Sequence, residues 1–207
     1  MYSGISWNNE IIVIDNRFIS ERVNQLRNWG IEYINGDILD LDLLKRNLKN
    51  VSSVHHLAGI TDVARTTKES NIDKDKKLNE VALKGTENLI SSMSENCKII
   101  FPSTHVIYEG IQSAKKNIGE QEPTSPILTY SKSKVINEEQ IKKSGRKYVI
   151  LRLGSVYGYS TDTTRLDIMP NLFSKIASQN GTIKLFSGGK HGRFRPPARL
   201  PNARGRR

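Results

Sequence analysis

Tyr130-Ser131-Lys132-Ser133-Lys134-Val135-Ile136-Asn137-Glu138-Glu139-Gln140-Ile141 runs towards Gly145, and Tyr148-Val149-Ile150-Leu151-Arg152-Leu153 follows. The first segment predicts a helix closed by the glycine, and the second, short and apolar with β-branched residues, predicts a buried strand. Residues four apart on a helix share a face, so the Tyr130 phenol and the Lys134 ammonium project side by side while Lys132 points elsewhere. A nearby cation favours phenolate over phenol and brings a tyrosine towards proton exchange with an alcohol near neutral pH. The same spacing also occurs on ordinary solvated helix faces, so the rest of the chain has to decide.

Upstream, the same alternation repeats. Glu10-Ile11-Ile12-Val13-Ile14-Asp15 predicts a first strand, and Ser20 is expected to cap a helix through Leu26 and Trp29 that Gly30 closes. Ile31 to Asn35 predicts a second strand with Gly36-Asp37-Ile38 at its carboxyl end. Asp40 is placed to cap a helix through Leu41, Leu43, Leu44 and Leu48. Val51 to His56 leads into a third strand ending in Leu57-Ala58-Gly59. A single long helix is expected through Leu78, Val81, Leu83, Leu89 and Ile90, then a fourth strand, Lys98-Ile99-Ile100-Phe101, with Ser103-Thr104 at its end. Downstream, a helix from about Leu166 to Ala177 and a strand near 182–186 complete the pattern. Strands alternating with helices predict an α/β fold, a doubly wound parallel sheet covered on both faces. Ligands of such sheets bind outside the carboxyl ends of the strands, where Asp15, Asp37, Leu57-Ala58-Gly59, Thr104 and Gly154-Ser155 fall.

The chain has 207 residues and a net charge of +11. Seven of its basic residues, from Lys190 to Arg207, stand in a segment without Asp or Glu, which leaves +4 on the preceding 189 residues. The charge therefore belongs to an Arg/Pro-rich tail, not to a folded face, and argues against specific nucleic-acid binding. No apolar run approaches the roughly 20 residues that span a bilayer, and one cysteine, Cys97, suits a reducing cytoplasm. No cysteine–histidine cluster has zinc spacing, and no nucleophile triad is evident. His55 and His56 read as packed strand residues rather than metal ligands.

The order of the pieces resembles the extended short-chain dehydrogenase/reductase family, the NAD-dependent sugar epimerases and dehydratases. The matching segments are Ile12-Val13-Ile14-Asp15-Asn16, Gly36-Asp37-Ile38, His56-Leu57-Ala58-Gly59, Gly85-Thr86-Glu87-Asn88-Leu89, Ser103-Thr104 with Ile107-Tyr108, Tyr130 to Lys134 with Glu138, and Leu151-Arg152 with Val156-Tyr157-Gly158. The resemblance implies a Rossmann-like domain with NAD as cofactor and a nucleotide sugar as substrate. It implies that Asp15, with Asn16 beside it, meets the adenosine ribose, that Asp37 and Ile38 flank the adenine, and that Leu57, Ala58 and Gly59 pass beneath the cofactor. Tyr130 would be the acid/base, Lys134 would hold the nicotinamide ribose and tune Tyr130, and Thr104 would hydrogen-bond the reacting oxygen. Ser103 is the neighbouring alternative to Thr104, and Arg17 is the one sign pointing to NADP. Asp15 as a mere polar strand end and Thr104 as a loop hydroxyl bonded to backbone stand as the simpler readings.

Two departures qualify the resemblance. The family opens with a strand, a Gly-x-x-Gly-x-x-Gly turn and a helix, whereas Met1 to Asn9 contain no such turn. At the back, Phe186-Ser187-Gly188-Gly189 gives way to the Arg/Pro tail. A smaller departure is Ala82, where the family often carries asparagine. The expectation is therefore an irregular segment over 1–9, an incomplete NAD-binding domain over 10–189 lacking the first strand, and a disordered tail over 190–207, the whole being a fragment. Its chemistry would be that of an epimerase or dehydratase; family dehydratases place an acidic pair after the threonine, whereas His105-Val106 follow Thr104 here. The alternative is an inactive remnant that binds nucleotide weakly or serves as an interaction module. The resemblance, rather than the sequence itself, implies a homodimer through the Tyr130 helix and the long helix ending near Cys97; no membrane partner and a cytoplasmic location are expected.

Overall fold

A computed structural model describes residues 9–61, 63–64, 67–112, 115, 117–158, 166 and 168–183. The expected tail, most of the N-terminal segment and positions 184–186 of the expected last strand lie outside the described residues. The chain divides into two compact units, one of residues 1–111 and 119–153, the other of 112–118 and 154–207.

The first unit alternates strands and helices in the order read from the sequence. They are β1 (Ile12–Asp15), α1 (Ser20–Asn28), β2 (Glu32–Asn35), α2 (Leu41–Leu48), β3 (Ser53–His55), α3 (Ile72–Asn79), α4 (Gly85–Ser92), β4 (Lys98–Thr104), α5 (Thr129–Lys143) and β5 (Tyr148–Leu153). All strand pairs are parallel, in two ladders: β1 with β2, and β3–β4–β5. Among the described residues, β1 and β3 are each paired along one edge only.

The fold is parallel α/β as expected, with local differences that have physical causes. Asp40 caps α2, its Oδ1 accepting the Leu43 N–H at 2.9 Å. Ser20 is not a cap. Ile19 occupies that position without a side-chain bond, and the Ser20 hydroxyl donates to Glu21 at 3.1 Å. The long helix is interrupted by a π-helical turn, Glu80–Lys84, between α3 and α4. Its carbonyls are claimed from outside: Asn137 Nδ2 donates to Ala82 O at 2.9 Å and Gln140 Nε2 to Leu83 O at 3.2 Å. Gly85 follows, and a Cβ there would stand 2.8 Å from Ile38 Cγ2, so only glycine lets α4 approach the end of β2 this closely.

The core lies between the sheet and the helices α2, α4 and α5. Leu44, Leu48, Leu89, Met93, Cys97, Ile99, Phe101 and Ile141 form one cluster, with Ile14, Val54 and Ile150 packed against it, so both ladders share it. Burying side chains such as Ile99 and Phe101 stabilises the fold by about 1.5–3 kcal/mol each. Covering is one-sided at β5: Val149, Leu151 and Leu153 remain about 40% exposed. In the second unit, α6 (Met169–Ser178) starts later than expected because Pro170, which lacks an N–H, fits only a first turn. Gly158 N donates to Asn171 Oδ1 of α6 at 3.1 Å.

Candidate active site

The residues singled out by sequence fall at the carboxyl ends of the strands of the first unit, in two groups. At the ends of β1 and β2, Asn16 Nδ2 donates to Asp37 Oδ2 at 2.8 Å, and Asp15 Oδ1 accepts the Arg17 N–H at 2.8 Å. Asp37 Oδ1 accepts the Leu39 N–H at 2.9 Å and turns the chain towards α2. Ile38 lies under Gly85. At the end of β3, Leu57, Ala58 and Gly59 are exposed, Leu57 by 72%, and a Cβ on Gly59 would meet open space.

The second group forms around α5 and the end of β4. Tyr130, half-buried, is in the first turn of α5, and Lys134 is one turn on. Lys134 Nζ donates to Pro102 O at 3.0 Å, sits 4.4 Å from the Phe101 ring centroid and 5.8 Å from that of Tyr130. Burial pushes its pKa down to about 8, with the Glu138 carboxylate pulling the other way. Two residues beyond Pro102, Thr104 Oγ1 accepts the Val106 N–H at 3.3 Å and caps the 3-10 turn His105–Tyr108. Ser103 is engaged elsewhere, its hydroxyl donating to Glu138 Oε1 at 2.6 Å.

His56 packs beside this group, its ring 5.3 Å from that of Phe101 and only 4% of the residue exposed. The Thr86 hydroxyl donates to Ala82 O at 2.7 Å, so at its 2.8 Å contact with His56 Nε2 it must accept. That assigns the proton to Nε2 and leaves Nδ1 buried without a hydrogen-bond partner among the described residues. Burial, aided by the Lys134 charge, lowers the His56 pKa to about 4, so the ring is neutral at physiological pH.

Two side chains that support the site were not assigned from the sequence. Glu138 meets Arg152 in a buried bidentate pair, Nη2 to Oε2 at 2.7 Å and Nε to Oε1 at 3.1 Å. An arginine inside the apolar run of β5 was the available signal, because such a group requires a carboxylate. Glu109 binds the start of α5 and had no sequence signal.

A parallel α/β domain with a Tyr-x-x-x-Lys helix packed on the strand that ends in Thr104 belongs to the Rossmann-like class of folds. Within it, the chain belongs to the NAD dependent epimerase/dehydratase family, whose model matches residues 5–193. A Methanocaldococcus jannaschii protein provisionally named as a UDP-glucose 4-epimerase is 31% identical over 162 residues. The match covers 75% of this chain and 50% of the relative, so the chain spans about half the length of that curated protein. Among solved structures, the UDP-glucose 4-epimerase of Bifidobacterium longum, in complex with NAD+ and UDP, superposes with a TM-score of 0.57 at 26% identity, covering 69% of this chain and 45% of that one. The Thermotoga maritima UDP-glucose 4-epimerase with UDP-glucose shares the fold, at a TM-score of 0.69 and 23% identity, over 89% of this chain and 60% of that one.

Proposed function

We propose that this chain carries the cofactor-binding and proton-transfer part of an NAD-dependent nucleotide-sugar epimerase-type enzyme. The observation that carries the reading is the placement of Lys134: half-buried, 5.8 Å from the Tyr130 ring centroid, and tied to the strand that ends in Thr104. The residues present fit NAD by their chemistry. An acidic and amide rim (Asp15, Asn16, Asp37, with Ile38) suits ribose hydroxyls and adenine, Leu57-Ala58-Gly59 offers an open surface, and hydroxyl and ammonium donors gather near Thr104. Bound there, NAD would take up a hydride from a sugar carbon and return it.

The rest of the chemistry belongs to this chain. Tyr130 takes the proton of the sugar hydroxyl at its phenolic oxygen and gives it back. Lys134 lowers the cost of the phenolate and donates to a ribose hydroxyl. Thr104 orients the reacting oxygen. The neutral His56 adds no second cation to compete with Lys134. Substrate would be a nucleotide sugar, and the assembly a homodimer through α5 and the α3–α4 run, which leaves Ile136 of α5 exposed to be covered.

Titration with NAD tests the reading, together with Tyr130→Phe. Micromolar NAD affinity and a loss of turnover of at least a thousandfold in Tyr130→Phe, with NAD affinity within twofold, are expected. Normal turnover in that variant would remove the assignment. The single-edge pairing of β1 and β3 favours a second reading, a weak nucleotide binder without turnover, for which the same titration would give millimolar affinity.

A further inference from the structure

One side chain brackets Tyr130 from both directions along the chain. Glu109 follows the 3-10 turn that Thr104 caps. Its Oε1 accepts the N–H groups of Ile127 and Leu128, both at 2.8 Å, and the hydroxyl of Ser131. The N–H of Leu128 belongs to the helix end, where donors lack partners within the helix, and Leu128, as cap residue, has no side chain to supply one. Backbone bonds close the same clasp: Ser125 N donates to Ile107 O and Gly110 N to Ser125 O, both at 2.8 Å. A Cβ on Gly110 would stand 2.6 Å from Ser125 O, so the two segments are in direct contact. Ser131 is fully buried. Tyr130 thus lies between two residues held by one carboxylate oxygen, and that carboxylate hangs from the segment that Thr104 begins.

We infer that Glu109 is a positioning residue for Tyr130, fixing the first turn of α5 against the Thr104 turn and so setting the orientation of the phenol relative to Thr104. The inference rests on the reading of Tyr130 as the acid/base group. What the clasp needs is an acceptor oxygen, so glutamine should replace the glutamate while alanine should not. Negative charge at a helix N-terminus is an added, smaller benefit.

The test compares Glu109→Ala and Glu109→Gln in the full chain by three readouts. These are amide exchange at Ile127 and Leu128, the fluorine NMR signal of 3-fluorotyrosine placed at position 130, and turnover of a UDP-hexose with NAD. In Glu109→Ala, exchange at both amides should quicken at least about tenfold and the fluorine signal should shift or broaden. Its kcat should fall about tenfold to a hundredfold, with the KM for NAD within twofold. Glu109→Gln should restore all three to near the parent. If Glu109→Ala does not fold, Ser131→Ala, which keeps both N–H bonds, serves as the weakened clasp and should move the fluorine signal part of the way. Faster amide exchange with an unchanged fluorine signal would overturn the inference, because the clasp would then hold the helix but not the phenol. Unchanged exchange would overturn it outright. Full turnover in Tyr130→Phe would instead remove the acid/base reading, and the fluorine and exchange data would still decide whether Glu109 orients position 130.

Discussion

Lys134 and Glu138 stand one turn apart on α5, and their surroundings are opposite. Glu138 is 3% exposed and meets Arg152 through two bonds, Ser103 through a third, and Lys142 at 3.8 Å. Burial would raise its pKa, but the Arg152 and Ser103 hydrogen bonds and the neighbouring cations hold it below the ordinary carboxylate range. Its charge is fixed. Lys134 instead donates to the Pro102 carbonyl and lies over the Phe101 ring, and burial brings its pKa down to about 8. Its proton is loosely held, next to Tyr130. On one helix, then, a saturated charge joins the helix to β5, and a softer one is left at the strand ends where chemistry is proposed.

The largest effect should come from breaking the saturated pair. Arg152→Met leaves Glu138 buried without its main partner and should cost about 3–5 kcal/mol in urea unfolding. A loss below about 1 kcal/mol would mean that the two charges are less desolvated than they look.

Lys134→Met should act in the opposite direction. Unfolded, this lysine titrates at its ordinary 10.5, and folded, at about 8. Below pH 8 both states hold the proton and the burial penalty stands in full. Between about 8 and 10.5 the unfolded chain binds more protons, so the parent gains stability as pH rises. The variant should lose that rise and, below pH 8, exceed the parent by up to about 3 kcal/mol. Urea midpoints of both proteins from pH 7 to 10.5 measure this, and a variant less stable at pH 7 would contradict the comparison. The smallest change is expected for Lys142→Ala. Lys142 is 40% exposed at 3.8 Å from Glu138, so its removal should cost less than about 1 kcal/mol and fade with added salt.

The sequence was most legible where one local rule acts alone. The bounds of β5, the Asp40 cap and the Tyr130–Lys134 face follow from apolar runs, a capping carboxylate and helical spacing. Reading failed where distant residues intervene. Ser103 and Glu138 are 35 positions apart, and no periodicity links them. The expected long helix takes its π turn because Asn137 and Gln140 of α5 bind its carbonyls from outside. Ser20 had the right chemistry for a cap, but the chain enters α1 one residue early, at Ile19. The proposed site residues rest on motif spacing, whereas Glu109 had no such signal, since its role depends on a loop returning beside it.

The π turn over Glu80–Lys84 sets a constraint on how the chain tolerates length changes. A π turn stores one residue more than an α turn of the same rise. Deleting one residue there would allow the run from Ile72 to Ser92 to become uninterrupted α-helix without shortening its axis. Because the extra residue is absorbed within the turn, the faces before and after it would keep their phase and Leu78 its packed side, while the Ala82 and Leu83 oxygens, drawn back into α-helical bonds, would be withdrawn from Asn137 and Gln140. An indel scan should therefore accept a single deletion within the π turn more readily than one inside α4, where the flanking faces would turn by about 100°.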